Sequence, residues 1–192
     1  MSTTQPIRDP EQVRALGNYF LKKGQLRNHL LVVLSVHTAL RISDILRLTC
    51  DDVYDFKNNR VRESVSITEK KTGKTKTVKL NEKIITALKV YVNAHCAKPG
   101  RPLIASPRTA KAITRVQAYR IIRAAAETIE LQTRVSCHSL RKTFGYLAWK
   151  NGIPVPIIME IYNHSSYNVT KRYLGISQDD KNEVYEKLAE IA

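Results

Sequence analysis

The sequence predicts an α+β domain that is mostly helical and carries one small antiparallel hairpin. Three observations predict it. Helix-starting residues ahead of apolar side chains at three- and four-residue spacing recur along the chain, while β-branched alternation occurs in one stretch, 60–80, centred on Gly73. The chain has 192 residues and 43% apolar content, enough for one well-filled core, so a single domain over 1–192 without internal repeats is expected.

Taken in order, Asp9-Pro10-Glu11 reads as N-cap, N1 proline and first-turn acid. They open a helix through Val13, Leu16, Tyr19 and Phe20 that stops near Gly24. A second helix starts at about Asn28; the run 29–37 is apolar on nearly every face, which places it in the middle of the domain, and Arg41 leaves that buried helix. In 60–80, Val61, Val65 and Ile67 lead into the turn Lys71-Thr72-Gly73-Lys74, and Thr75, Thr77 and Val78 lead out. Five lysines (Lys70, Lys71, Lys74, Lys76, Lys79) crowd the tip and return strand, either protecting an exposed edge or forming a finger on phosphates. Asn81-Glu82 caps a helix to about Cys96, and 98–102 is a loop within the domain. Helices follow at 114–130 through Val116, Tyr119, Ile122 and Ala126, at 139–151 ended by Gly152, and at 154–162 opened by Pro154. Ser177 and Asp180 form a capping-box pattern before a last helix that puts Val184, Leu188 and Ile191 on one face.

The charge balance narrows the function classes. Lys and Arg number 32 against 17 Asp and Glu, a formal +15, which points toward a polyanion and most simply nucleic acid. Cys50, Cys96 and Cys137 are odd in number and far apart, which argues against a disulfide framework or zinc site and for buried thiols in a reducing compartment. No apolar run approaches the roughly 18 residues that span a bilayer, and the polar start lacks a signal-peptide core, so a cytoplasmic protein is expected.

The last third of the chain concentrates the chemistry. His138 and Arg141 are three apart at a helix N-terminus, an anion-favouring position; His164 and Tyr173 follow. Breaking a phosphodiester while keeping its bond energy needs a protein nucleophile, which tyrosine can supply. Charge gathers on the non-bridging oxygens, so guanidinium forks such as Arg41 and Arg141 are natural stabilisers. The departing oxygen needs a proton, which an ammonium such as Lys71 can give, and His138 and His164 can move protons or donate to the phosphate. Alone, each residue has a bland use: Arg41 answering a helix dipole, His138 capping, Tyr173 as one of nine tyrosines. His29, His37 and His95 take the structural reading.

With these residues in hand, the chain resembles the catalytic domain of the tyrosine recombinase, or phage integrase, family over about 9–190. The first arginine box looks like Ala39-Leu40-Arg41-Ile42-Ser43-Asp44, and the hairpin lysine falls on Lys71. The His-x-x-Arg box is His138 to Arg141, the second histidine box is Tyr162-Asn163-His164-Ser165-Ser166, and Thr170-Lys171-Arg172-Tyr173 carries the nucleophile. Each box is weak, whereas their order is specific. The resemblance implies binding of double-stranded DNA, a 3'-phosphotyrosyl intermediate and strand exchange without metal or nucleotide cofactor. It also implies tetramers on DNA in which the C-terminal helix docks on a neighbour, with accessory DNA-bending proteins as further partners.

DNA contacts are expected from Lys70 and Lys74 on the hairpin, Lys142 and Lys171 beside the boxes, and Arg115, Gln117 and Arg120 on the helix from 114; Thr114, Arg115 and Gln117 suit base edges if that helix enters the major groove. Two departures stand out. Asn163 occupies a place usually held by glycine, but asparagine tolerates left-handed backbone. Only about eight residues precede the first helix, so the expected unit is a catalytic domain without the DNA-clamping helical domain, either as a minimal recombinase or as an excised part. Type IB topoisomerase activity, and a non-catalytic DNA-binding regulator, are the competing functions.

Overall fold

The computed structural model describes residues 4–70, 73–95, 98–131 and 134–189. Helix α1 (Pro10–Lys22) begins as the sequence predicts: Asp9 caps it by accepting from the Glu11 amide at 2.8 Å, and Leu16 and Phe20 turn inward. Helix α2 (Leu26–His37) starts two residues before Asn28 without a side-chain cap; the Gln25 amide instead donates to Phe20 O at 2.8 Å and closes a tight corner with α1. α2 is the centre of the main core and packs against α1, α5 (Glu82–His95) and α7 (Cys137–Lys150).

Arg41 does not end α2. The Thr38 hydroxyl bonds back to Leu34 O at 2.7 Å, Ala39 takes a left-handed φ of 54°, and Arg41 becomes the N-cap residue of the short helix α3 (Ile42–Ile45). Helix α4 (Cys50–Val53) follows, opened by a Thr49–Asp52 capping box.

The predicted hairpin is β3 (Ser64–Thr68) against β4 (Thr75–Lys79), in antiparallel register with Val65 opposite Val78 and Ile67 opposite Lys76. Val61 is not in it: it pairs with Tyr54 in a separate ribbon of β1 (Tyr54–Asp55) and β2 (Arg60–Val61), because Arg62 turns its amide to Val53 O at 2.9 Å. Thr75 and Thr77 face outward, and Lys76 and Val78 form the half-buried face of β4. The loop at 98–102 is pinned, since Cys50 N donates to Arg101 O and Leu103 N to Leu48 O, both at 2.8 Å.

Helix α6 (Arg115–Thr128) is capped by Thr114 and buries Ala118, Ile122, Ala125 and Ala126, but Val116, expected on that face, is 56% exposed in its first turn. α7 starts two residues before 139 because Ser136 and Ser139 form a capping box. Then come α8 (Val155–Tyr162), α9 (Tyr167–Leu174) and α10 (Gln178–Ala189). The predicted Ser177–Asp180 box opens α10, with the Ser177 amide 2.8 Å from Asp180 Oδ2.

A second small core of Ala39, Ile158, Tyr162 and Leu174, with Phe144, Trp149 and Tyr173 against it, lies under the predicted chemistry. The N-terminal residues strap across this region. Ile7 N donates to Thr143 Oγ1 at 2.9 Å, and Arg8 reaches Gly175 O at 2.6 Å, Ser177 Oγ at 2.8 Å and Asp180 Oδ2 at 3.5 Å.

Cys137 is a buried free thiol, pushed up to about 11 by desolvation. Cys50, expected as a thiol, is disulfide-bonded; spacing along the chain does not report distance in space. His29 bonds Gly17 O at 3.0 Å, His37 faces the Asn81 amide at 3.3 Å, and His95 stacks on Tyr91, all in structural roles. Among the described residues no helix is long and apolar enough to cross a membrane.

Candidate active site

Residues from five segments meet above the small core. α7 presents His138 and Arg141 from its first two turns, α9 presents Tyr173 near its end, the α8–α9 turn presents His164, the residue before α3 is Arg41, and the hairpin supplies Glu69 and Lys76. Arg141 is buried, 3% exposed, and every nitrogen is engaged: Nε donates to the Tyr173 hydroxyl at 3.0 Å, Nη1 to Ala39 O, and Nη2 to Tyr162 O at 3.4 Å. Tyr162 answers by donating its own hydroxyl to Arg141 O at 2.6 Å, which locks the arginine's backbone and fork to one neighbour.

Arg41 and Arg141 enter one site from different helices, as the sequence predicts. His138 Nδ1 lies 3.3 Å from the Tyr173 hydroxyl. Because Arg141 Nε can only donate, the phenol proton is left for His138 to accept, which requires a neutral imidazole with its lone pair on Nδ1. The electrostatics favour that form: desolvation, then Lys142, Arg141 and Arg41, push His138 down to about 4. Burial raises the Tyr173 phenol, with Arg141 and Arg41 opposing, so the phenol rests protonated and needs a base before it can attack.

His164 Nδ1 lies 3.0 Å from Thr170 Oγ1, and its ring meets Tyr173 edge-on with centroids 4.9 Å apart. The turn that aims it depends on Asn163, whose φ of 55° and ψ of 41° close α8 in the left-handed conformation expected of glycine or asparagine. Five of the six predicted catalytic residues therefore gather; Lys71, the sixth, lies outside the described residues.

The DNA-contact residues divide. Lys70, Lys74 and Lys171 are exposed on the hairpin and α9, and Arg115 and Arg120 on α6. Gln117 is exposed, but its carbonyl oxygen accepts from the Thr114 amide at 2.8 Å, so its side chain caps α6. Lys142 is buried, 7% exposed; its ammonium donates to Thr4 O at 2.7 Å and lies 5.5 Å from the Tyr173 ring centre. It packs against Tyr173 instead of reaching outward.

Sequence reasoning missed Glu69 and Lys76. Glu69 Oε2 is 2.6 Å from Arg41 Nη1 and Oε1 is 3.2 Å from Lys76 Nζ, which also donates to Ile161 O at 3.0 Å. Desolvation lowers the Lys76 ammonium, with Glu69 opposing. The signal was the two-residue period of a strand: Glu69 continues the inward row Val65–Ile67, and Lys76 begins the inward row Val78–Leu80.

The family model for the phage integrase family matches residues 8–179. The chain is 36% identical over 185 residues to the probable integrase/recombinase YoeC of Bacillus subtilis (strain 168), covering 96% of this chain and 97% of that protein. It is 24% identical over 168 residues to the tyrosine recombinase XerA of Pyrococcus furiosus, where the match covers 87% of this chain and 56% of that one. The crystal structure of XerA recombinase superposes with a TM-score of 0.78 at 21% identity, over 96% of this chain and 66% of that one. XerH bound to palindromic difH substrate in a post-cleavage complex superposes at 0.75 and 21% identity, over 96% of this chain and 53% of that one. These last two likenesses concern the fold, and the fold is that of recombinase catalytic domains. An arginine-held tyrosine on this fold, with a family match over most of its length, places the chain in the phage integrase family of tyrosine-type site-specific recombinases.

Proposed function

We propose that Tyr173 is the nucleophile of a site-specific DNA strand transferase, acting as the residues around it allow. His138 Nδ1 takes the phenol proton as the Tyr173 oxygen attacks the scissile phosphorus. Arg41 and Arg141 hold the non-bridging oxygens, with His164 as a further donor. The bond to the 5' oxygen breaks, that oxygen takes a proton from a lysine, assigned to Lys71 by the family resemblance, and a 3'-phosphotyrosyl ester remains. Attack by a 5' hydroxyl reverses each transfer, so the ester energy is kept. The observation that carries this reading is the Tyr173 hydroxyl held between Arg141 Nε at 3.0 Å and His138 Nδ1 at 3.3 Å. A topoisomerase IB reading is not favoured by the family and relatives.

The partner is double-stranded DNA, with integration, excision or inversion of a mobile element as the outcome. The exposed row Val184, Tyr185 and Leu188 on α10, 53%, 72% and 56% exposed, supports self-association on DNA through that helix. Such a protein works in the cytoplasm, where the chromosome lies, and the chain is read as one catalytic unit over 1–192.

The test is a nicked suicide duplex from the cognate element. Wild-type protein is expected to form a denaturant-resistant adduct that mass spectrometry maps to Tyr173, and Tyr173→Phe to bind without one. An adduct that persists in Tyr173→Phe defeats the assignment. Binding with no adduct on any cognate end favours the non-catalytic alternative.

A further inference from the structure

Glu69 carries the wrong sign for a phosphate pocket, yet it is built into one. Its side chain is 0% exposed, with one carboxylate oxygen 2.6 Å from Arg41 Nη1 and the other 3.2 Å from Lys76 Nζ. A carboxylate taken out of water is tolerated when cations hold it, so the arrangement binds three side chains into one charged unit.

Its backbone cannot easily give way. The Glu69 amide donates to Lys74 O at 3.0 Å and its carbonyl accepts from Gly73 N at 2.9 Å, so the residue is the base of the β3–β4 turn. The next amide, Lys70 N, donates to Asp44 Oδ1 on α3 at 3.1 Å, and Lys76 is tied to Ile161 O at the end of α8. Glu69 thus joins the hairpin to the two elements that deliver Arg41 and His164. Arg41 Nη1 is buried against the carboxylate, so the charge contact fixes that arm of the fork.

We propose that Glu69 is a positioning residue for DNA cleavage: its carboxylate sets the guanidinium of Arg41, together with Lys76, in the place where the scissile phosphate is received. This rests on the reading of Arg41 as a phosphate-stabilising residue. Preset cations avoid reorganisation at the moment of reaction, which is where such groups gain their effect.

The test compares Glu69→Gln, nearly isosteric and uncharged, with Glu69→Asp, Arg41→Lys and the double variant Glu69→Gln/Arg41→Lys. The assays are thermal melting, DNA affinity, and single-turnover adduct formation on a nicked duplex at saturating protein. Glu69→Gln is expected to bind DNA at least as well as wild type and to cleave it about 10- to 100-fold more slowly. Glu69→Asp is expected to recover part of that rate. In the Arg41→Lys background the Gln substitution is expected to cost less than about twofold, because contacting residues couple. The proposal is overturned if Glu69→Gln cleaves at the wild-type rate or faster, if the two single effects multiply in the double variant, or if the loss of rate follows a loss of folding that Glu69→Asp shares. Tyr173→Phe serves as the control: an adduct there sinks the nucleophile assignment itself, independently of Glu69.

Discussion

Arg141 Nε donates to the Tyr173 hydroxyl at 3.0 Å, so the arginine proposed to hold the phosphate and the tyrosine proposed to attack it are each other's partners. The remaining fork is engaged with Ala39 O and, at a longer 3.4 Å, with Tyr162 O. An incoming phosphate competes first with that longest bond. The three donors of an ammonium radiate from one atom and do not span the separate acceptors that the planar fork reaches. Arg141→Lys is therefore expected to lower adduct formation by about 10²- to 10³-fold while leaving DNA affinity nearly intact. Single-turnover cleavage alongside a binding titration checks this.

His138 gives a pH signature. Its imidazole is pushed down to about 4, mainly by desolvation and then by Lys142, Arg141 and Arg41, from an ordinary value of 6.5. The unfolded chain takes up this proton before the folded one does. The stability that the neutral imidazole contributes is thus lost progressively as pH falls from about 6.5 and is gone below about 4. Urea unfolding at pH 7.5, 5.5 and 4.5 is expected to show a steeper decline for wild type than for His138→Gln. Equal slopes refute the shifted imidazole.

Gly145 tests the packing under the site. A Cβ there meets the buried Tyr162 ring at 2.5 Å from Oη and 2.7 Å from Cε2. Gly145→Ala must push aside the ring whose hydroxyl and carbonyl both bond Arg141. The expected cost is about 1–3 kcal/mol of stability together with slower cleavage, read by chemical denaturation and the adduct assay.

Asn163 tests the turn that aims His164. Its left-handed backbone admits glycine freely and resists β-branched side chains. Asn163→Gly is expected to retain cleavage, and Asn163→Val to lose about 1–3 kcal/mol of stability and much of the rate.

Much of this was legible in the sequence because the site is written in short local boxes. His138 and Arg141 needed only a helix N-terminus, and Asn163 and Gly152 marked helix ends by their backbone tolerance. The differences lie where tertiary contacts decide. Gln117, expected at base edges, caps its own helix through Oε1, and Lys142, expected at phosphates, donates to the carbonyl of Thr4 beside Tyr173. Lys76 was counted with its exposed neighbours because a cluster of lysines suggests solvent, although the strand alternation turns it inward beside Glu69. Cys50 illustrates the same limit, since no spacing rule shows which thiols meet.

The chain after Tyr173 works as a short leash. Only 174–177 separate Tyr173 from the start of α10, and an extended chain advances at most about 3.6 Å per residue, so the Tyr173 Cα cannot wander beyond roughly 18 Å from that anchor. Arg8 knots the leash at Gly175 O and Ser177 Oγ and its anchor at Asp180, and the same arginine belongs to the N-terminal strap. A displacement of α10 is consequently felt at Tyr173, and the strap decides how much slack that side chain has.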